Sequence, residues 1–187
     1  MKLRVIGGSL KGKPLASPKG LAVRPTTGRV REAVFNILFC RVQNAFVLDL
    51  FAGTGAFGIE ALSRGAARVV FVDNSPASLA VIRRNIQACG LEHAAVIMRQ
   101  DATRRLSAIA ESHRAFDLVF MDPPYGRNAV GSTLTALDES SALKNGALVI
   151  AEHSLKESVE INGGHFFLND QRKYGGTLVS FFEYMIN

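Results

Sequence analysis

Residues 47–65 read VLDLFAGTGAFGIEALSRG: a short apolar run, a turn with glycine at 53, 55 and 58, then a helix-compatible stretch. Few folds are open to a strand that enters such a turn and leaves it as a helix. Glycine lets the backbone pass close to a neighbour or a ligand, and the new helix presents unpaired N–H groups at its start. The same alternation then repeats. Apolar runs at 68–73 (RVVFVD), 95–101 (AVIMRQD), 116–122 (FDLVFMD) and 146–153 (GALVIAEH) are strand-like, with helical stretches between them. One helix opens at Pro76 and stops at Gly90, and another is expected to end near Asn145-Gly146. Near-continuous apolar strands spaced by helices predict a parallel sheet covered on both faces. The tail departs from this pattern. Residues 164–184 read as two strands joined around Tyr174-Gly175-Gly176 with no helix between, so the sheet closes on a hairpin and its last strand is antiparallel.

The glycine turn alone is ambiguous. Gly53-Thr54-Gly55-Ala56-Phe57-Gly58 is a literal G-x-G-x-x-G, and Asp73 follows at the spacing of a dinucleotide-binding fingerprint. Asp73 can accept hydrogen bonds from both hydroxyls of a ribose, which nicotinamide cofactors share with S-adenosylmethionine. Two other acids discriminate. Asp49, at the end of the first strand, suits a ligand carrying an ammonium and a sulfonium and would repel a pyrophosphate. Asp101, at the end of the third strand, can meet an adenine amino group. The cofactor expected from these residues is S-adenosylmethionine. Its candidate site comprises Asp49, Gly53, Gly55, Asp73 and Asp101.

Asp122-Pro123-Pro124-Tyr125 ends the fourth strand, at the carboxyl edge where open α/β sheets bind ligands. These four form the candidate catalytic set, and their chemistry fits methylation of an exocyclic amine. Such an amine is conjugated with its ring and is a poor nucleophile. Asp122 can accept one of its hydrogens and favour a pyramidal nitrogen, and the Pro123 carbonyl can accept the other. Paired prolines stiffen the backbone that aims this carbonyl. Tyr125 offers a face on which an extruded base can stack. A bare Pro-Pro turn after a strand would be the bland alternative.

The charge is unevenly placed. Residues 1–43 hold nine Lys or Arg and a single acid, Glu32, whereas the rest of the chain holds thirteen basic and fifteen acidic residues. All of the net charge of +6 therefore originates in the N-terminal fifth. This asymmetry predicts an acidic polymer as partner, with phosphates as the charges met. The boundary falls between a basic extension, 1–43, and a catalytic domain, 44–187. The extension reads as a small hairpin in RVIGGSLKGKPL followed by a helix with Val30, Val34, Ile37 and Leu38 on one face and Thr27 as its N-cap. No apolar run reaches the ~18 residues of a membrane span, no signal-like segment opens the chain, and a cytoplasmic location is expected. The two cysteines and four histidines are scattered, so no metal site is expected.

Four segments together carry a family resemblance: RVIGGSLKGKPL, RPTTGRVREAVFNIL, LDLFAGTGAFGIEALSRGA and FDLVFMDPPYG. They resemble the bacterial 16S rRNA guanine-N2 methyltransferases, which act on the small ribosomal subunit. The resemblance implies a class I, Rossmann-like sheet of seven strands, mostly parallel, with a small N-terminal extension. It implies that Asp122, Pro123 and Tyr125 hold the target guanine, and that the acids and glycines above bind S-adenosylmethionine together with Phe51 and the neighbouring Ala52, Asn74 and Ala102. It also implies that Arg24, Thr26, Arg29 and Arg31 lie in a segment that faces the RNA, with Lys11 and Lys13 of the hairpin as further backbone contacts. Where the family has Asp, this chain has Gly28, which removes a charge from a helix start. DNA amino methyltransferases share the Asp-Pro-Pro-Tyr set but need an extra domain to read sequence, for which 187 residues leave no room; DNA is not expected as a partner. A non-catalytic RNA-binding assembly factor would be expected to lose the acids that are intact here. A monomer is the default expectation.

Overall fold

A computed structural model describes residues 3–17, 25–104, 106–112, 115–124, 129–157, 159 and 164–186. Seven strands form one sheet in the order β3-β2-β1-β4-β5-β7-β6. They are β1 (Phe46–Leu50), β2 (Arg68–Asp73), β3 (Ala95–Arg99), β4 (Phe116–Met121), β5 (Leu143–Ser154), β6 (Phe166–Tyr174) and β7 (Thr177–Tyr184). The helices are α1 (Pro25–Leu38), α2 (Ala56–Ser63), α3 (Pro76–Cys89), α4 (Ser107–Ser112) and α5 (Ala129–Asp138). The first five strands are parallel. Only β7 runs against them, antiparallel to both β5 and β6.

The apolar runs are continuous because alternate residues serve opposite faces. Val47, Val69, Phe71, Leu118, Phe120, Leu148 and Ile150 join one buried cluster with the N-terminal segment, α1, α2 and α3. Leu48, Val70, Val72, Val119, Met121 and Val149 join the other, with α4 and α5. The fit is tight where α2 crosses β2. A Cβ on Gly58 would lie 2.3 Å from the Phe71 ring and 2.8 Å from Val69 Cγ1, so the third glycine of the turn is required for helix–sheet contact.

Two local expectations are corrected. The helix expected to reach Asn145-Gly146 ends at Asp138, and β5 already begins at Leu143. Ser140 Oγ donates to Leu137 O and accepts from Ala142 N, closing the helix early. Asn145 and Gly146 instead form an irregularity within β5, where the pairing slips between Phe116↔Leu143 and Leu118↔Leu148. Thr27 lies inside α1 rather than at its cap, because Pro25 already occupies a helical position.

The N-terminal segment forms a single antiparallel bridge, Arg4↔Pro14, flanked by Val5 N→Lys13 O and Leu15 N→Leu3 O hydrogen bonds. An acid takes part in docking it. Glu60 of α2 is 0% exposed and accepts from Ile6 N (2.8 Å), Gly7 N (2.7 Å) and Arg64 Nε (2.8 Å). Arg31 Nε lies 3.5 Å from the same carboxylate, and Arg31 Nη2 donates to Arg4 O at 2.6 Å. Arg31 was expected to face phosphate, yet it is 1% exposed. Its place on the apolar stripe of α1, beside Val30 and Val34, explains why: the guanidinium is drawn in to neutralise Glu60. Desolvation pulls its pKa down from the ordinary arginine value, and Glu60 opposes that shift.

Removing one partner of a buried pair strands the other. Glu60→Ala is expected to destabilise the fold by about 3–5 kcal/mol in urea unfolding, and Glu60→Ala combined with Arg31→Met to recover part of that loss.

Candidate functional site

The site lies at the topological switch of the sheet, where β1 and β4 are neighbours but their connections run in opposite directions. Leu50 pairs with Met121 and with Val72. Phe51, Asp122 and Asp73 therefore leave three adjacent strands at the same edge. Phe51 is a non-glycine residue with φ +56°, a strained left-handed conformation. The bend frees Ala52 N to donate to Val72 O at 3.1 Å, extending the sheet by one bond. Gly53, with φ +56°, then donates its N–H to Asp73 Oδ2 at 2.8 Å.

The acids hold the turn from both sides. Asp73 Oδ1 also accepts from Ser75 N at 2.8 Å, so each oxygen has one backbone partner and one lone pair left to offer. Asp49 is 3% exposed and accepts from Gly58 N at 2.9 Å in the first turn of α2. Desolvation raises its pKa to about 8; the Gly58 bond opposes this and the nearby charges of Asp122 and Asp73 add to it. Asp101 behaves oppositely. The Thr103 hydroxyl (2.7 Å) and N–H (3.0 Å) both donate to its Oδ1 and hold its pKa below the ordinary carboxylate value.

A cavity of about 560 Å³ is lined by Phe51, Asp73, Asn74, Asp101, Thr103, Asp122, Pro124, Ala129 and Ser132. Six sequence-predicted residues thus meet at one place: Phe51, Asp73, Asn74, Asp101, Asp122 and Pro124. Asp49, Ala52, Gly53, Gly55, Pro123 and Ala102 do not line it. Asp49 and Gly55 lie beneath or within the turn, and Ala52, Pro123 and Ala102 are buried. Tyr125 and Arg24 lie outside the described residues, as does the side chain of Thr26. Lys11, Lys13 and Arg29 are exposed. Thr103, Ala129 and Ser132 were not anticipated; of these only Thr103 had a signal, two residues after Asp101 where its hydroxyl closes a local turn.

No lysine or arginine is among the described lining residues. A pyrophosphate would meet three carboxylates there, and Arg104, 3.4 Å from Asp101, is not among the lining residues. Ribose hydroxyls, an adenine amine and a cationic sulfur would each find an acceptor, so the donor set fits S-adenosylmethionine. Among the described residues, no group of three or more His, Cys, Asp or Glu is arranged to hold a metal ion, and no helix is long and apolar enough to cross a membrane.

Comparison with known proteins agrees with this geometry. The sequence profile described as "Conserved hypothetical protein 95" matches residues 3–183. The Bacillus subtilis protein YlbH is 35% identical over 181 residues, covering 97% of this chain and 98% of that one. Ribosomal RNA small subunit methyltransferase D of Escherichia coli is 31% identical over 174 residues, covering 93% and 86%. The solved structure of yhhF from Escherichia coli superposes over all of both chains with a TM-score of 0.87 at 30% identity. SMU.776, solved with SAH, shares the fold at 18% identity and a TM-score of 0.62, covering 83% of this chain and 48% of that one.

The Asp49 shift has a stability consequence. A carboxyl raised from 3.8 to about 8 on folding incurs no penalty below about pH 4, where it is protonated in both states. As pH rises toward 8 the unfolded chain ionises freely and the folded one does not, so stability falls. Asp49→Asn removes that dependence. Its stability relative to the parent should climb between pH 5 and pH 8.5 by on the order of a few kcal/mol in urea titrations. A difference that stays constant with pH would mean that Asp49 is already ionised at pH 5.

Proposed function

The chain belongs to the family described as conserved hypothetical protein 95, and on that premise we propose that it methylates the exocyclic N2 of a guanine in 16S rRNA of the small ribosomal subunit. It is an S-adenosylmethionine-dependent rRNA methyltransferase. The observation that carries the finer reading is the meeting of Asp73, Asp101 and Asp122 on one cavity that has no basic side chain among its described lining.

Asp73 would accept the ribose hydroxyls with its remaining lone pairs, and Asp101 the adenine amine. Phe51 would supply an apolar wall, and Gly53, with no side chain, would allow close approach of the ligand to the turn. When bound, S-adenosylmethionine supplies a methyl group on a positively charged sulfur. The protein's task is to present the amine to it. Asp122 stands at the cavity edge, one residue beyond the last β1–β4 pair. Its carboxylate would accept one N–H of the guanine amino group and the Pro123 carbonyl the other. That draws the nitrogen lone pair out of conjugation and aims it at the methyl carbon. Charge is dispersed rather than created in this transfer, so orientation and exclusion of water supply most of the acceleration.

The basic extension, residues 1–43, would carry the RNA, and residues 44–187 the chemistry. Lys11, Lys13 and Arg29 are the exposed phosphate contacts we assign to that face, with Arg24 and Thr26 assigned from sequence alone. Arg31 is left out, being buried against Glu60. The enzyme acts in this reading as a cytoplasmic monomer on an RNA presented by the subunit.

Asp122→Ala should lower methyl transfer from labelled S-adenosylmethionine at least ~100-fold, while S-adenosylhomocysteine affinity changes less than about fivefold. Nucleoside digests of small subunits treated with the parent enzyme should show the label in N2-methylguanosine. Label in another nucleoside would overturn the assignment of the target atom. Replacing Lys11, Lys13 and Arg29 together by alanine should reduce the slope of log affinity against log salt by about two; an unchanged slope would move the RNA face elsewhere.

A further inference from the structure

One buried polar residue has no part in the chemistry above. Asn85 lies on α3 among Leu79, Ile82 and Ile86 and is 1% exposed. An apolar residue would satisfy that stripe of the helix. Asn85 instead makes three hydrogen bonds, all to backbone and in two directions. Its Oδ1 accepts from Ala16 N at 2.7 Å, and its Nδ2 donates to Ala16 O at 3.0 Å. The same Nδ2 donates to Thr54 O at 2.9 Å. Both amide hydrogens are therefore used, one on the N-terminal segment and one on the carbonyl between Gly53 and Gly55.

We propose that Asn85 is a positioning residue that couples the N-terminal segment to the cofactor turn. This rests on the reading of the cavity as the S-adenosylmethionine site and of the extension as the RNA face. The coupling is geometric. An amide is planar, so its three contacts share one orientation. A shift of Ala16 that keeps its two bonds rotates the amide and draws Nδ2 off the Thr54 carbonyl, and one that breaks them leaves the amide free to turn away from it. Thr54 stands between Gly53, tied to Asp73, and Gly55, which caps α2. Loss of that restraint lets the turn sample positions that do not bind cofactor. Linkage is reciprocal, so RNA that orders the extension should tighten cofactor binding, and cofactor should tighten RNA binding.

The test is a double-mutant cycle read by calorimetric titration of S-adenosylhomocysteine into the full chain. Ala16→Pro removes the N–H that Oδ1 accepts, at a residue outside the cavity. It is expected to weaken S-adenosylhomocysteine about fivefold, and Asn85→Ala about tenfold. The double variant should bind no more than twofold weaker than Asn85→Ala, because the shared link is already gone. Single effects that multiply, or an Ala16→Pro variant with native circular dichroism and parental affinity, would overturn the proposal. If Asn85→Ala does not keep native circular dichroism, Asn85→Asp takes its place, retaining the acceptor and losing both donors. A second arm adds saturating 16S rRNA, expected to raise S-adenosylhomocysteine affinity severalfold in the parent and not in Asn85→Ala. Absence of that rise, with the cycle still coupled, would overturn the RNA half of the linkage and place the fault in the RNA face rather than in Asn85. A parent that binds no S-adenosylhomocysteine would overturn the cofactor reading and this inference with it.

Discussion

A five-residue turn must leave β1 and enter α2 without orphaning backbone groups, and the rest of the site is arranged around it. Phe51 and Gly53 adopt left-handed conformations in quick succession, and Gly55 a third at the cap of α2. For phenylalanine this conformation costs of order 1–3 kcal/mol. The cost is offset locally. Ala52 N binds Val72 O, Gly53 N binds Asp73, Gly55 N binds Ala52 O and Asp49 takes Gly58 N. The partners come from three elements: β2, the turn itself and β1. The turn is consequently rigid only when the parallel sheet is complete, which ties the binding site to the global fold.

The N-terminal segment is bound into the same core by polar residues of the helices beneath it, among them Glu60, Ser63 and Asn85. Glu60 takes two backbone N–H groups of the segment, and Asn85 takes both polar groups of Ala16. Leu3, Val5 and Leu15 add apolar contact within the cluster that also holds Val47 and Ile59. A segment so short has too little apolar surface to fold alone. Its shape is borrowed from α2 and α3, the two helices that flank the glycine turn. The buried Arg31–Glu60 pair contributes little net stability in such a setting, since desolvating two charges offsets most of their attraction. Its effect is to fix where the segment sits.

The strands were legible because parallel sheets bury both faces, which makes 69–72 and 118–121 apolar without a break. The glycine turn was legible because only glycine tolerates the contact at position 58. What was not legible arose from contacts between distant positions. Arg31 reads as one more cation in a basic stretch. Only the fold brings Glu60, nearly thirty residues on, beneath it. Glu60 and Asn85 did leave a trace, since each is a polar residue placed among apolar helix neighbours, but periodicity names no partner for them. The early end of α5 was missed because Asn-Gly, a common turn signal, here marks an irregularity inside β5 rather than a helix end.

The acids at the carboxyl edge also bear on turnover under the proposed reading. Asp49, Asp73 and Asp122 are close enough that the charges of the latter two raise the Asp49 pKa. Without a cation, burial first and this repulsion second favour holding a proton on Asp49. A sulfonium and an ammonium entering beside them offer a better remedy, so the carboxylates gain stabilisation from the charged methyl donor. Methyl transfer leaves the sulfur neutral and removes part of that gain. The same cluster thus favours donor over product, because its charges are poorly solvated and interact strongly with one another. In this reading burial of Asp49, which looks like a liability for an ionisable group, makes the cluster sensitive to the single positive charge that leaves the sulfur as the methyl group moves and is released from the amine as a proton.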